Sequence, residues 1–228
     1  MNRRSAFITL VTGVQLNPFD PKPEQLSPEA IATGLGNECR WGSQMRRFYP
    51  VAQHCCLVQR VAVRLASEKY NLFGSALRMV GLAAHLHDAA EGLGFRDMPT
   101  PIKRHLPHYE AAEHHMLAAV LDKYMPLAFP GEDYSHVYEP RVATLEVNGQ
   151  VVPDWTYLMP RLHASIWDAD AIVLATEHRD LRSEQTDTSG RRPDVEPLDE
   201  VIVPWTPEVA RKRWLDDFIF FMNSGVSV

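Results

Sequence analysis

From Val51 onward the apolar positions recur every three or four residues. Val51, Val58, Val61 and Leu65 fall on one stripe, which predicts a helix with one face in a core. A second helical pattern runs from about Ser75 to Ala90, a third from about Tyr109 to Tyr124, with Met116, Ala119, Val120 and Lys123 marking its faces, and a fourth from Leu162 to Leu181. A last amphipathic stretch covers Pro207 to Met222. Ahead of them, Ser27 followed by Pro28 reads as an N-cap with proline at the first helical position. It opens a helix through Ile31 that the Gly34 and Gly36 region ends.

The remaining segments lack this period. FITLVTGVQLNPFDP has β-branched residues around a glycine and closes on a proline turn, as a short surface hairpin does. Residues 126–160 carry five prolines and RVATLEVNGQVVPDW, whose alternation across Asn148-Gly149 predicts an inserted β-hairpin. Residues 182–200 have the polar, Gly- and Pro-containing composition of a mobile loop. These elements predict an all-α fold, a single domain over residues 1–228 that carries a short N-terminal hairpin and the inserted hairpin.

Composition narrows the partners. At 228 residues and 45% hydrophobic content the chain can close one core. The net charge of -6 offers no general attraction for a nucleic-acid polymer, so a phosphate-bearing ligand is expected to be small and held locally. Three cysteines, two of them adjacent, make neither a disulfide framework nor a metal knuckle, and fit a reducing cytoplasm. No stretch approaches a membrane span or shows a targeting signal.

The informative residues are polar ones on stripes that should be apolar, because an unpaired buried charge is costly and normally has a partner or a metal. His54 lies between Val51 and Val58 at spacings of three and four. His87 follows Val80 and Ala84 on one face, with Asp88 next round the helix, and Asp170 falls between Ile166 and Val173. Two imidazoles and two carboxylates converging in a bundle make a mixed nitrogen and oxygen site for a divalent metal. Ligand type does not choose among Zn, Co, Mn, Fe and Mg. Each residue alone reads more simply as a hydrogen-bonded core group; the joint pattern is what points to a metal. Asp168 competes with Asp170 for the fourth place, and the inward stripe favours Asp170.

VAQHCCLV, HLHDAAE and DADAIVLATEHRDL, in that order, resemble the HD-domain phosphohydrolases. The resemblance is to the group of 5′-deoxynucleotidases and phage or bacterial dATP triphosphohydrolases, and extends to CRWG, FYPVAQH, MPTPIK, YEAAE, TEHRDL and VPWTPEVA. It implies an HD-type helical bundle with His54, His87, Asp88 and Asp170 as metal ligands. It assigns Glu91, three residues after the HD aspartate, to the general base and water positioning. Asp97 matches a site aspartate, one residue further from Asp88 than the family spacing, which leaves a turn-stabilising role open beside it. Arg40 and Trp41 match a pair that grips phosphate and packs on sugar or base, and Lys103 is a candidate phosphate contact. The remaining histidines, and Cys55 and Cys56, do not complete the pattern.

The activity so implied is hydrolysis of a small-molecule deoxynucleotide, with dNTP triphosphohydrolase action on dATP favoured by FYPVAQH and LATEHRDL over a 5′-nucleotidase acting on dNMP. A homo-oligomer is expected because relatives commonly form one. A catalytically silent helical module, in which a metal only ties helices together, is the competing reading.

Overall fold

The computed structural model describes residues 7–125, 155–182 and 194–223. Among them the protein is helical apart from one antiparallel pair, β1 (Ile8–Thr9) and β2 (Gln15–Leu16), which is the N-terminal hairpin expected from the sequence. Leu16 is fully buried, so the hairpin closes one side of the core. The Asn148-Gly149 hairpin and most of the 182–200 loop lie outside the described residues.

Helix α1 (Pro28–Asn37) starts as expected, with the Ser27 hydroxyl accepting from the Ala30 N–H at 3.1 Å. It ends at Asn37, one residue past Gly36, in the region expected. The helix passes through Gly34 and Gly36 because both face other backbone. A Cβ on Gly34 would overlap the Gly92 carbonyl oxygen, and one on Gly92 would stand 2.6 Å from the Ile31 carbonyl oxygen. Glycine is here a contact residue, not a stop. Gly34→Ala is expected to destabilise the protein by about 3 kcal/mol or more, since backbone on both sides cannot yield. The gain in helix propensity of about 1 kcal/mol does not offset this. Urea unfolding measures it; an unchanged midpoint would mean the two backbones do not meet.

Helices α2 (Val51–Glu68) and α3 (Ser75–Leu86) pack against each other at the centre. α6 (Trp155–Leu181) lies against both, and α7 (Pro207–Asn223) touches α1, α2 and α3. The short α4 (Thr100–Lys103) packs on α5 (Pro107–Tyr124), which also touches α3. α2 is amphipathic: Val51, Ala52, Cys55, Val58 and Ala62 are all inaccessible to solvent, while Arg60, Arg64 and Glu68 are exposed. Burial of each large apolar side chain on the inward face contributes about 1.5–3 kcal/mol.

Two boundaries differ from those the sequence pattern gives. α3 stops at Leu86 rather than Ala90, and the chain continues in tight turns, Ala89 N–H to Leu86 O (2.9 Å), Glu91 N–H to Asp88 O (3.0 Å) and Leu93 N–H to Ala90 O (3.0 Å). Gly94, at φ 105°, then reverses the chain. α6 begins at Trp155, so residues 155–160 belong to the helix and not to the insertion. Pro160 lies inside it, and the stripe from Met159 and Leu162 to Ala169 and Val173 is buried. Packing of that stripe outweighs the cost of one proline.

A strap closes the fold from the C-terminal side. Leu198 N–H donates to Thr176 Oγ1 (2.9 Å), Ile202 N–H to Asp180 Oδ2 (2.8 Å), and Gln53 both donates to Val203 O (2.9 Å) and accepts from Trp205 N–H (2.7 Å). The segment expected to be a loop up to residue 200 is thus anchored from Leu198 onward. No helix among the described residues is long and apolar enough to cross a membrane.

Candidate metal centre

Four elements supply the centre: α2 gives His54, the end of α3 gives His87 and Asp88, α6 gives Asp170 and Glu177, and the loop before α2 gives Arg40 and Trp41. The loop is pinned at its base, with Arg40 N–H to Tyr49 O at 3.0 Å and Val51 N–H to Glu38 O at 3.0 Å. At its tip Trp41, Gly42 and Ser43 all have positive φ, at 61°, 56° and 67°. Three consecutive residues in the left-handed region, two of them not glycine, are uncommon and strained, and such strain clusters at functional sites.

His54 Nε2 stands 3.2 Å from His87 Nε2, 3.2 Å from Asp170 Oδ1 and 3.6 Å from Asp88 Oδ2, and His87 Nε2 is 3.3 Å from Asp88 Oδ2. Both Nδ1 atoms are already engaged. That of His87 donates to Ala84 O at 2.7 Å, and that of His54 to Glu177 Oε1 at 2.7 Å. The Nε2 lone pairs are therefore turned toward one another and toward two carboxylates, an arrangement that repels itself unless something positive sits between. Donors ~2.1 Å from one ion at 90–110° stand ~3.0–3.4 Å apart, which matches the 3.2 and 3.3 Å spacings here, with Asp88 Oδ2 somewhat further from His54 Nε2 at 3.6 Å. The donor set fits a divalent cation, and the His54, His87 and Asp170 donors all lie within 4.8 Å of one another.

The protonation pattern agrees with this. Burial and Arg40 push the His54 imidazole down, yet the Glu177 and Asp170 carboxylates outweigh them and its pKa rises to about 9. In the absence of a cation a proton on Nε2 thus occupies the cation's position. Burial would raise the Asp88 and Asp170 carboxyls, but the imidazoles and Arg40 hold both below the usual range. Glu91 behaves oppositely. Burial, then the charges of Asp88 and Asp97, push it well above the carboxylate range. Two neighbouring carboxyls with pKa values driven apart are the arrangement used for acid and base work.

Glu91 is not on a continuous helix with His87. It sits in the tight turn Glu91–Leu93, three residues after Asp88, where residues at i and i+3 eclipse and share an edge. Glu91 is 8% exposed, and its Oε2 is buried without a partner. Asp97 Oδ2 and Arg40 Nε are likewise buried without partners. These three groups act on one another electrostatically, so the unmade hydrogen bonds gather beside the four donors. Buried polar atoms normally find partners, and three orphans together mark a place for a polar ligand or water. Asp170, with its side chain 40% exposed, forms the open side.

The proposed substrate contacts are arranged less simply. Arg40 lies on Asp88 Oδ2 (3.3 Å) and near Glu177 Oε2 (3.6 Å), so its charge is engaged by the site's own carboxylates. Trp41 Nε1 donates to Glu177 Oε2 at 3.2 Å, its ring meets His178 edge-on at 4.7 Å, and the Arg182 guanidinium stacks over it at 4.3 Å. Lys103 is paired with Glu113, Nζ to Oε1 at 2.9 Å. Asp168 is turned elsewhere, paired with Lys69 (2.6 Å) and Tyr70 (2.8 Å).

Glu177 is the residue of the centre that the inward stripe did not single out. It is fully buried and holds His54, Trp41 and Arg40 together. The available signal was its position two helical turns after Asp170, on the same inward face. Glu177→Gln is expected to weaken divalent-metal affinity about 10–100-fold, the usual effect of losing a carboxylate behind a ligating histidine. Titration with a metal indicator checks this; unchanged affinity would show that Glu177 only packs.

No family model matches this chain. It is 30% identical over 152 residues to the uncharacterized protein YfdR of Escherichia coli K12, covering 66% of this chain and 58% of that protein. It is 35% identical over 102 residues to the uncharacterized protein RCAP_rcc00048 of Rhodobacter capsulatus, covering 44% and 48% respectively. The chain thus spans about half the length of the curated relatives it matches, and neither relative carries an activity to it.

Proposed function

We propose that the protein is a metal-dependent deoxynucleotide phosphohydrolase of the HD type, acting on dNTPs with dATP as the favoured substrate. The observation that supports it most is the convergence of His54 Nε2, His87 Nε2, Asp88 Oδ2 and Asp170 Oδ1 with both Nδ1 atoms tied back. The preference for a nucleoside triphosphate rests on the resemblance of the motifs around His54 and Glu177. When bound, a divalent cation supplies positive charge against phosphate oxygens and acidifies a water.

The chain's own residues do the rest. Water adds to the α-phosphorus, the bond to the sugar 5′ oxygen breaks, and triphosphate leaves with the water oxygen. Glu91 takes the water proton and returns it to the 5′ oxygen, giving the deoxynucleoside. A carboxyl with a raised pKa can hold a proton where Asp88 and Asp170 do not. Arg40 offers a further donor through Nε, the guanidinium atom without a partner. Asp97, whose buried Oδ2 has no partner, offers a further acceptor near Glu91.

The test is to supply dNMPs, dNDPs, dNTPs and ribonucleotides to protein loaded with Mn, Co, Zn or Mg, and to separate the products. Deoxyadenosine and triphosphate from dATP are expected. Orthophosphate from dNMPs would reassign the site as a 5′-nucleotidase. Absence of turnover by metal-loaded protein would sink the enzyme reading in favour of a silent module.

A further inference from the structure

We propose that Cys56, His85 and Asp217 form a second metal site, on the opposite side of the α2–α3 pair from the first, that takes a thiophilic divalent cation of the zinc class. The three ligand atoms lie within 4.8 Å of one another and come from three helices, α2, α3 and α7. Residues two apart on a helix point ~200° away from each other round the axis. Cys56 therefore faces away from His54, and His85 away from His87. α2 and α3 serve both clusters; the first is completed from α6 by Asp170, the second from α7 by Asp217.

His85 carries the second, independent observation. Its side chain is fully buried, its ring stacks on Trp214 at 4.4 Å, and Nε2 donates to the Trp214 carbonyl oxygen at 2.9 Å. That bond leaves the lone pair on Nδ1, which is buried and has no partner. A buried acceptor without a donor is costly, and a cation satisfies it. The orientation of the ring is fixed from its other nitrogen, as for ligating histidines generally.

The donor chemistry differs from that of the first centre. One thiol, one imidazole and one carboxylate select zinc or cobalt over magnesium and calcium, because the soft sulfur ligand is poor for hard cations. The Cys56 thiol lies beside the Asp217 carboxylate, and Arg213 lies near the same carboxylate. Cys56 is 7% exposed, while Asp217 is only half-buried, so solvent reaches the cluster from the Asp217 side and supplies the fourth ligand. A cation there ties α2 and α3 to α7 two residues from His54 and His87, and so braces the backbone from which the first-centre ligands project.

The test uses the full chain, stripped of metal and titrated with Co²⁺, with bound cobalt measured by elemental analysis and the thiolate-to-cobalt charge-transfer absorption followed. Two equivalents and a thiolate band are expected. Cys56→Ser should bind one equivalent fewer and lose the band, Cys55→Ser should keep it, and Asp170→Ala should lose an equivalent while keeping the band. Asp217→Asn, in place of Cys56→Ser if that variant does not fold by circular dichroism, should also lose an equivalent. A saturated wild-type protein without a thiolate band overturns the proposal, as does a band that survives Cys56→Ser and vanishes in Cys55→Ser. The persistence of the band in Asp170→Ala separates this site from the hydrolytic one, which stands or falls on nucleotide turnover.

Discussion

Asp170→Asn is expected to abolish divalent-metal binding at the proposed hydrolytic centre and with it any turnover, while Asp168→Asn leaves both intact. Of these two aspartates, Asp170 places an oxygen against His54 Nε2, at 3.2 Å, whereas Asp168 is engaged by Lys69 and Tyr70. The asparagine preserves volume but removes the negative charge that balances a divalent ion. Loss of a supporting carboxylate behind a ligand weakens metal binding about 10–100-fold, and loss of a direct ligand exceeds that. Calorimetric titration with Mn²⁺ or Co²⁺ distinguishes the two variants. Metal loss in Asp168→Asn, with retention in Asp170→Asn, would show that the wrong aspartate has been placed at the centre.

The second large effect is on rate rather than binding. Glu91→Gln should retain the metal and lower kcat by about 10²–10⁴, the range for loss of a positioned general acid or base. That corresponds to about 3–5 kcal/mol of transition-state stabilisation. KM should change little, because Glu91 touches the proton in flight and not the bound nucleotide. Stability gives an independent readout. Glu91 is buried with one oxygen unpaired and its charge disfavoured by Asp88 and Asp97, so removing the ionisable group should leave the thermal midpoint unchanged or raise it. A midpoint that falls together with kcat would mark Glu91 as a structural residue of the Gly92 turn.

Much of the helical plan was legible because it is written in the 3.6-residue period. The cores of α2, α5 and α7, the Ser27 cap and the first hairpin need only the local pattern and capping chemistry. The boundaries that shifted did so for reasons outside the local chain. Gly34 also reads only as part of a helix end until Gly92 is seen to lie against it. Pro160 reads as the edge of an insertion until Met159 is seen to be buried. The end of α3 is decided by the Gly92–Gly94 turn docking on α1, which no periodicity at residues 75–90 can show.

The same division holds at the site. Inward polar residues on apolar stripes single out His54, His87 and Asp170 from sequence, because a buried ligand-type side chain is costly wherever it falls. The sequence by itself therefore determined which helices form, which of their faces turn inward and which polar groups are carried there. Only the tertiary structure decided that those groups meet within hydrogen-bonding distance, that Glu177 rather than a nearer residue orients His54, that Arg40 leans on Asp88, and that Cys56, His85 and Asp217 gather on the reverse face. The physical reason is that period and propensity act over one or two turns of a chain, whereas donor geometry and pKa are set by groups tens of residues away brought together by packing.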